Sequence, residues 1–144
     1  MIVVADTNVV LRIIGKDDNA QQTQAALKVA GEAERFVIPV MVFCEFCWVL
    51  RKEKSRREIA AALRCLLDLE NIVFDEDAVH AGLRMLDAGG DFADGVIQHT
   101  GSQLADAPSV FASFDQQAVR LLAAQGFATL VPTAHTPSAN GGGA

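Results

Sequence analysis

The chain has 144 residues, about half of them apolar, and a formal net charge of −6 at pH 7. This length and composition predict one domain that can bury a hydrophobic core without disulfides or structural metals. The negative charge excludes a protein that binds nucleic acids through a general excess of lysine and arginine.

Short apolar runs alternate with helical patterns along the chain. In chain order they predict strand 2–5, helix 7–14, helix 20–34, strand 36–38, helix 39–54, helix 56–69, strand 72–74, helix 75–88, helix 91–104, strand 109–113, helix 115–125 and strand 127–131. Local signals support the boundaries. Pro39 suits the start of a helix, Ser55 and Glu58 form a capping box, Asp91 can cap the helix that begins there, and Gly126 ends a helix.

This alternation of strands and helices predicts an α/β fold with a mostly parallel, five-stranded sheet flanked by helices in three layers. Residues 1–131 would form the domain, and the Pro-, Ser-, Gly- and Ala-rich residues 132–144 would form a flexible tail. Doubly wound sheets bind ligands in the crevice beyond the carboxyl ends of their strands. We therefore expect the functional residues at that edge.

Four scattered carboxylates fit such a crevice. Asp6 directly follows the first strand and Asp115 follows the fourth. Glu45 lies in the helix after the second strand, and Asp94 lies near the start of the helix before the fourth. All four can converge if the first and fourth strands are neighbours. Each has apolar flanking residues, where an unpaired charge is costly, so the group predicts a bound cation. Oxygen ligands favour Mg²⁺ or Mn²⁺ over zinc.

Each acid also has a simpler interpretation. Asp6 and Asp115 could only cap the helices that follow them, because aspartate is common at that position. Asp94 could be a first-turn acid that the helix dipole favours. Glu45 could face solvent, as most glutamates do.

Four blocks of the sequence resemble the PIN-domain ribonucleases of the VapC toxin family, which belong to toxin–antitoxin pairs. The blocks are VVADTNVVLR (3–12), PVMVFCEFCWVLRK (39–52), DFADGVIQHTG (91–101) and VFASFDQQA (110–118). They occur in family order and near family spacing, and the resemblance covers roughly residues 2–131. It implies a PIN-like fold and a metal-dependent endoribonuclease that leaves 3′-hydroxyl and 5′-phosphate ends.

The resemblance also implies roles for single residues. Asp6 and Asp94 would be direct ligands of Mg²⁺ or Mn²⁺, and Glu45 and Asp115 would complete the acidic set. The polar side chains that would orient these carboxylates are Thr7, Asn8 and Ser113. Asn8 could instead be a helix-start residue. Ser113 stands where the family often has threonine, and Gln116 stands where it often has a basic residue, so one phosphate contact is in doubt.

Phosphate contacts would come from a small number of basic residues: Arg12, Lys16, Arg51 and Lys52. The last two belong to a basic run between two helices, which could grip an RNA backbone or form a solvated loop. With few aromatic residues and no tyrosine, extensive stacking on a single-stranded track is not expected. A loop of a structured RNA, such as a transfer or ribosomal RNA, is the expected substrate.

The family resemblance further implies a homodimer and a VapB-like antitoxin that neutralises the enzyme. The alternative is a PIN fold that has lost catalysis and only binds a partner, but the presence of all four acids argues against it. Cys44 and Cys47 have the spacing of a zinc or redox pair, yet on an apolar helix they are expected in the core. The odd number of cysteines, the early charge at Asp6 and the short apolar runs predict a cytoplasmic protein with no signal peptide or membrane segment.

Overall fold

The computed structural model describes residues 1–14 and 19–135. Its elements, in chain order, are β1 (Ile2–Val4), α1 (Thr7–Ile14), α2 (Ala20–Glu32), β2 (Arg35–Val37), α3 (Val40–Leu50), α4 (Arg56–Leu67), β3 (Ile72–Val73), α5 (Glu76–Asp87), α6 (Phe92–Ala105), β4 (Phe111–Ala112), α7 (Gln116–Ala124) and β5 (Thr129–Leu130). Each predicted strand and helix is present within a few residues of its expected bounds.

The local signals act as predicted at several boundaries. Ser55 and Glu58 exchange the two hydrogen bonds of a capping box at the start of α4. Gly89 and Gly126 follow α5 and α7 with φ angles of 90° and 97°, a conformation that disfavours residues with a Cβ. These short-range interactions explain why the element bounds follow from the sequence.

The predicted five-stranded sheet is wrong. The strands form a three-stranded parallel sheet in the order β1-β2-β3 and a separate two-stranded parallel sheet of β4 and β5. Because β1 and β4 are not paired, β1 is an edge strand and its Val4 is 68 % exposed. A physical reason is that strands of two or three residues contribute few hydrogen bonds, so helix packing decides where β4 and β5 lie.

The helices supply most of the core. Four phenylalanines fill its centre and are almost completely buried: Phe36, Phe43, Phe46 and Phe92. The closest helix pair is α5 and α6, where Gly82 and Gly95 leave no room for a Cβ. A methyl group at Gly95 would collide with the carbonyl of Ala81. This tight contact fixes the first turn of α6, where Asp94 lies.

Helix α3 is less buried than predicted, since one of its faces is open to solvent. Met41 and Trp48 are 69 % and 73 % exposed, whereas Phe43 and Phe46 on the opposite side lie in the core. The sequence is apolar on both faces, so the pattern alone did not separate the buried side from the exposed side.

Among residues 1–14 and 19–135, no helix is both long enough and apolar enough to cross a membrane. Residues 131–135 follow β5 as irregular chain and a turn. The remainder of the predicted tail, 136–144, and the predicted RNA contact Lys16 lie outside the described residues.

Candidate metal centre

Three carboxylates gather at the starts of two helices. Asp91 precedes α6, Asp94 lies in its first turn, and Asp115 precedes α7. Each offers one oxygen, and these oxygens lie within 4.8 Å of one another. Asp91 and Asp94 are three residues apart, so the first turn of α6 presents both on one side. Asp115, at the start of α7, is the third acid of the group.

The electrostatics of this acidic group favour a cation. Asp94 is half-buried, and burial raises its pKa, with further increases from the negative charges of Asp91 and Asp115. Arg56 provides a local counter-charge, because its guanidinium donates to the Asp91 carboxylate at 3.2 Å. The repulsion at Asp94 is what a divalent cation would remove.

The hydrogen bonds leave oxygens available for such an ion. Asp115 caps α7 by accepting from the amides of Gln117 and Ala118, and both bonds end on the same oxygen, Oδ1. The second oxygen, Oδ2, accepts no hydrogen bond from the described residues. An oxygen-only donor set of this kind fits Mg²⁺ or Mn²⁺. Capping and metal binding by Asp115 are therefore compatible.

The other two predicted ligands lie outside this group. Asp6 accepts from the amide of Val9 at 3.1 Å and so caps α1. Glu45 accepts from the hydroxyl of Thr7 at 2.7 Å, which ties α3 to α1. The predicted convergence of all four acids required β1 and β4 to be neighbours, and these strands belong to separate sheets. Of the four predicted acids, the group with oxygens within 4.8 Å of one another contains Asp94 and Asp115.

Helix α3 nevertheless connects the two sets of acids. Cys44, the neighbour of Glu45, lines a cavity of about 260 Å³ together with Asp94 and Asp115. The charge of Glu45 also contributes to raising the pKa of the Cys44 thiol, after the larger effect of burial. Glu45 is thus adjacent to a residue that lines this cavity.

The predicted supporting residues have defined local contacts. Asn8 and Arg12 line an apolar groove beside Asp6, and the Arg12 guanidinium donates to the side chain of Gln22 at 2.7 Å. The hydroxyl of Ser113 accepts from the amide of Asp115 at 3.0 Å. Ser113 therefore shapes the turn that presents Asp115.

The predicted phosphate contacts Arg51 and Lys52 follow the end of α3. Arg51 is half-buried, donates to the carbonyl of Lys54 at 3.2 Å, and lines the same cavity as Asp94 and Asp115. Lys52 is exposed. Of these two predicted phosphate contacts, Arg51 is therefore the one that lines the cavity of the acids, where Arg56 is already paired with Asp91.

Sequence reasoning missed Asp91, which was taken only as a helix cap. It occupies the capping position, but its side chain makes no cap hydrogen bond and joins the acidic group instead. The available signal was its spacing of three residues from Asp94 at a helix start.

The apolar sequence around each acid was a poor guide to burial. Asp6, Glu45 and Asp115 are exposed, and only Asp94 is half-buried. Cys47 is buried as predicted, and burial raises its pKa far above the ordinary range, so it stays a neutral thiol, whereas Cys44 is only half-buried. A thiolate–zinc site on α3 is inconsistent with that environment.

Comparison with known proteins gives one family. The family described as PIN domain matches residues 3–122 of the chain, a segment that contains all four predicted acids and Asp91. No curated protein matches the chain.

Proposed function

The chain belongs to the PIN domain family, and we propose that it is a metal-dependent endoribonuclease. PIN domains form a superfamily of nucleases that generally depend on a divalent metal, so nuclease function is consistent with the family and with the acidic group. The finer proposal is that the substrate is RNA, that the metal is Mg²⁺ or Mn²⁺, and that the enzyme is a VapC-type toxin.

The observation that supports this proposal best is the group of Asp91, Asp94 and Asp115, with oxygens within 4.8 Å of one another. Three carboxylates this close repel one another: burial raises the pKa of Asp94, and the charges of Asp91 and Asp115 raise it further. A divalent cation bound among these carboxylates would attract all three of them and so offset their mutual repulsion. When bound, it would polarise the scissile phosphate and make a water more acidic.

We assign the protein's own residues the following roles. Asp94 and Asp115 hold the cation, with Asp91 oriented by Arg56 as a further carboxylate of the group. We also assign Asp6 and Glu45 to the site, because they stand at the corresponding places in the sequence blocks that resemble the VapC family. Thr7 orients Glu45 by its hydrogen bond, and Ser113 holds the turn of Asp115.

The decisive experiment compares RNA cleavage by the native protein with that of Asp94→Asn, each with Mg²⁺, Mn²⁺ or a chelator. We expect cleavage that requires the metal and falls at least about 100-fold in the variant, because loss of a metal-binding charge removes transition-state stabilisation of several kcal/mol. Asp106→Asn is the matched control, since Asp106 ends the same helix with a left-handed conformation that asparagine also adopts.

Metal-independent cleavage, or full cleavage by Asp94→Asn, would overturn the proposal. Metal binding by the native protein with no cleavage of any RNA would instead identify a PIN fold that only binds. New 5′-phosphate ends, mapped across the transcriptome after expression in cells, would name the RNA.

We further propose a cytoplasmic homodimer neutralised by a VapB-like antitoxin. The net charge of −6 suits a partner with a basic segment that reaches the acids. Cleavage measured with the product of the neighbouring gene at saturation tests this, and undiminished cleavage would refute it.

A further inference from the structure

The exposed face of α3 is an unusual ridge on a helix whose other side is core. It consists of Met41, Glu45 and Trp48, spaced by four and three residues on α3, and of Lys52, which follows two residues after the helix ends. All four are exposed. A face with these apolar residues would ordinarily be buried, but here it is exposed to solvent. Its member Trp48 lines the cavity of the acidic group.

Trp48 is the notable member of this ridge. It is the only tryptophan of the chain, and 73 % of it is exposed. Its side chain lines the same cavity as Asp94, Asp115 and Arg51. None of the other described aromatic rings makes a ring contact with it. A large indole that is exposed rather than packed leaves its face open to a ligand.

The surroundings of Trp48 favour a nucleic acid over a protein partner. Arg51 lies one turn after Trp48 and lines the same cavity, and the exposed Lys52 comes next in the chain. These two positive charges beside the indole could bind the phosphates of a nucleic acid whose base contacts Trp48. A protein helix would need a broad apolar surface, whereas Trp48 stands between the charged Glu45 and Lys52. A flat nucleobase needs only the indole face.

We propose that Trp48 stacks on one unpaired base of the RNA, next to the phosphate that is cleaved. This proposal rests on the ribonuclease function proposed above and defines its substrate class: an RNA with at least one base that can leave its helix. Because every base has a π-face, Trp48 selects for an accessible base and not for its identity. Arg51 then binds a neighbouring phosphate and keeps the strand across the acidic group.

The chain offers a direct probe of this contact, because it has one tryptophan and no tyrosine. Emission of Trp48 can be followed in the Asp94→Asn background, where the RNA stays intact. We expect quenching on addition of an RNA hairpin with an unpaired loop, and no quenching by a blunt duplex of the same stem. A loop in which the contacted nucleotide is abasic should restore the emission.

Cleavage kinetics test the same contact independently. Trp48→Ala should lower kcat/KM for the hairpin roughly tenfold or more, since stacking on one base has that value, and Trp48→Phe should retain most of the activity. Met41→Ala is the matched control, because Met41 is equally exposed on the ridge but does not line the cavity. It should leave cleavage unchanged.

The outcomes separate this proposal from the ribonuclease function. Cleavage without quenching, or with an unaffected Trp48→Ala variant, overturns the stacking role while the nuclease stands. Quenching by the looped hairpin with no cleavage by the native protein supports the stacking site and overturns the nuclease. If Trp48→Ala abolishes self-association but leaves hairpin binding unchanged, the indole is a protein contact and the proposal is wrong.

Discussion

Asp94 is the carboxylate of the candidate centre whose pKa is raised by its surroundings. Its pKa is raised by burial and by the charges of Asp91 and Asp115. The folded protein therefore holds the Asp94 proton more tightly than the unfolded chain does. The corresponding stability is present below the unfolded pKa and is lost as the pH rises through the folded pKa. At neutral pH, the ionised Asp94 destabilises the metal-free protein.

Because the ionised Asp94 destabilises the metal-free protein, removing its charge should stabilise that form. Asp94→Asn should raise the free energy of unfolding at pH 7 in the presence of a chelator, by up to about 1 kcal/mol for a half-exposed charge. The gain over the native protein should shrink as the pH falls and vanish at about pH 3, below the ordinary aspartate pKa of about 3.9, where the carboxyl is protonated in both states. Urea unfolding at several pH values measures it.

Magnesium should reverse the order of the two proteins. Saturating Mg²⁺ at about 100 times its Kd would stabilise the native protein by about 2.7 kcal/mol, and the variant by less. Asp106→Asn should follow the native protein in both conditions. A variant that is less stable than the native protein at pH 7 without metal would show that Asp94 is held by interactions other than those described here.

The candidate site was only partly predictable from single residues. Asp94 and Asp115 were predicted and lie together, because each stands at a helix start that local sequence defines. Asp91 was missed, since its capping position gave it an apparent role. Asp6 is not a member of this group, and its place relative to β4 depends on which strands pair, which no local signal encodes.

At the scale of elements, the contact between α5 and α6 positions the centre. Gly95 directly follows Asp94, and a Cβ there would meet the backbone of Ala81, which cannot move aside as a flexible side chain could. The absence of a Cβ at Gly95 thus allows α6 to lie close against α5, and this close contact positions Asp94. Glycine in a helix costs about 1 kcal/mol relative to alanine, so its presence in this turn has a packing reason.

Gly95→Ala should therefore destabilise the protein by about 1–3 kcal/mol, the usual effect of overpacking, in spite of the better helix propensity of alanine. Gly101→Ala is the control in the same helix, where a Cβ would meet nothing within 4 Å. That control should be neutral or stabilised by up to about 1 kcal/mol. Thermal unfolding of both variants measures the difference, and equal stability would show that α6 can shift without cost.

The helices and strands were predictable because their signals are local. Capping boxes, glycines with positive φ and apolar periodicity all act within a few residues, and they fixed the bounds of α4, α5 and α7. The exposed face of α3 was not predictable, because its apolar residues continue around the helix. Which of two apolar faces is buried depends on the neighbouring elements.

At the scale of the whole molecule, strand pairing was the part of the fold that sequence patterns did not determine. An alternating order of strands and helices is equally compatible with one sheet of five strands or with sheets of three and two strands. Pairing between distant strands depends on tertiary packing, and strands as short as β4 and β5 contribute little to the choice. The position of Asp6 relative to Asp94 follows from that choice.

The net charge of −6 sets how the whole molecule can bind RNA. A polyanion is repelled except where cations are concentrated, which on the described surface is the end of α3 and, with metal bound, the acidic group. We expect hairpin binding that Mg²⁺ strengthens and that depends weakly on monovalent salt. Two phosphate contacts, from Arg51 and Lys52, correspond to a slope of about −1.4 in log K against log salt, at about −0.7 per phosphate of a single strand.

Removing one of these charges should change that slope by a definite amount. Lys52→Gln should lower it in magnitude by about 0.7 and weaken binding to all looped RNAs equally, because phosphates report no base identity. Lys28→Gln is the control, since Lys28 pairs with Glu32 on α2. Fluorescence titrations at several KCl concentrations measure the slope. A native slope of about −4 or steeper would require six or more phosphate contacts, and the binding surface would then extend well beyond the end of α3.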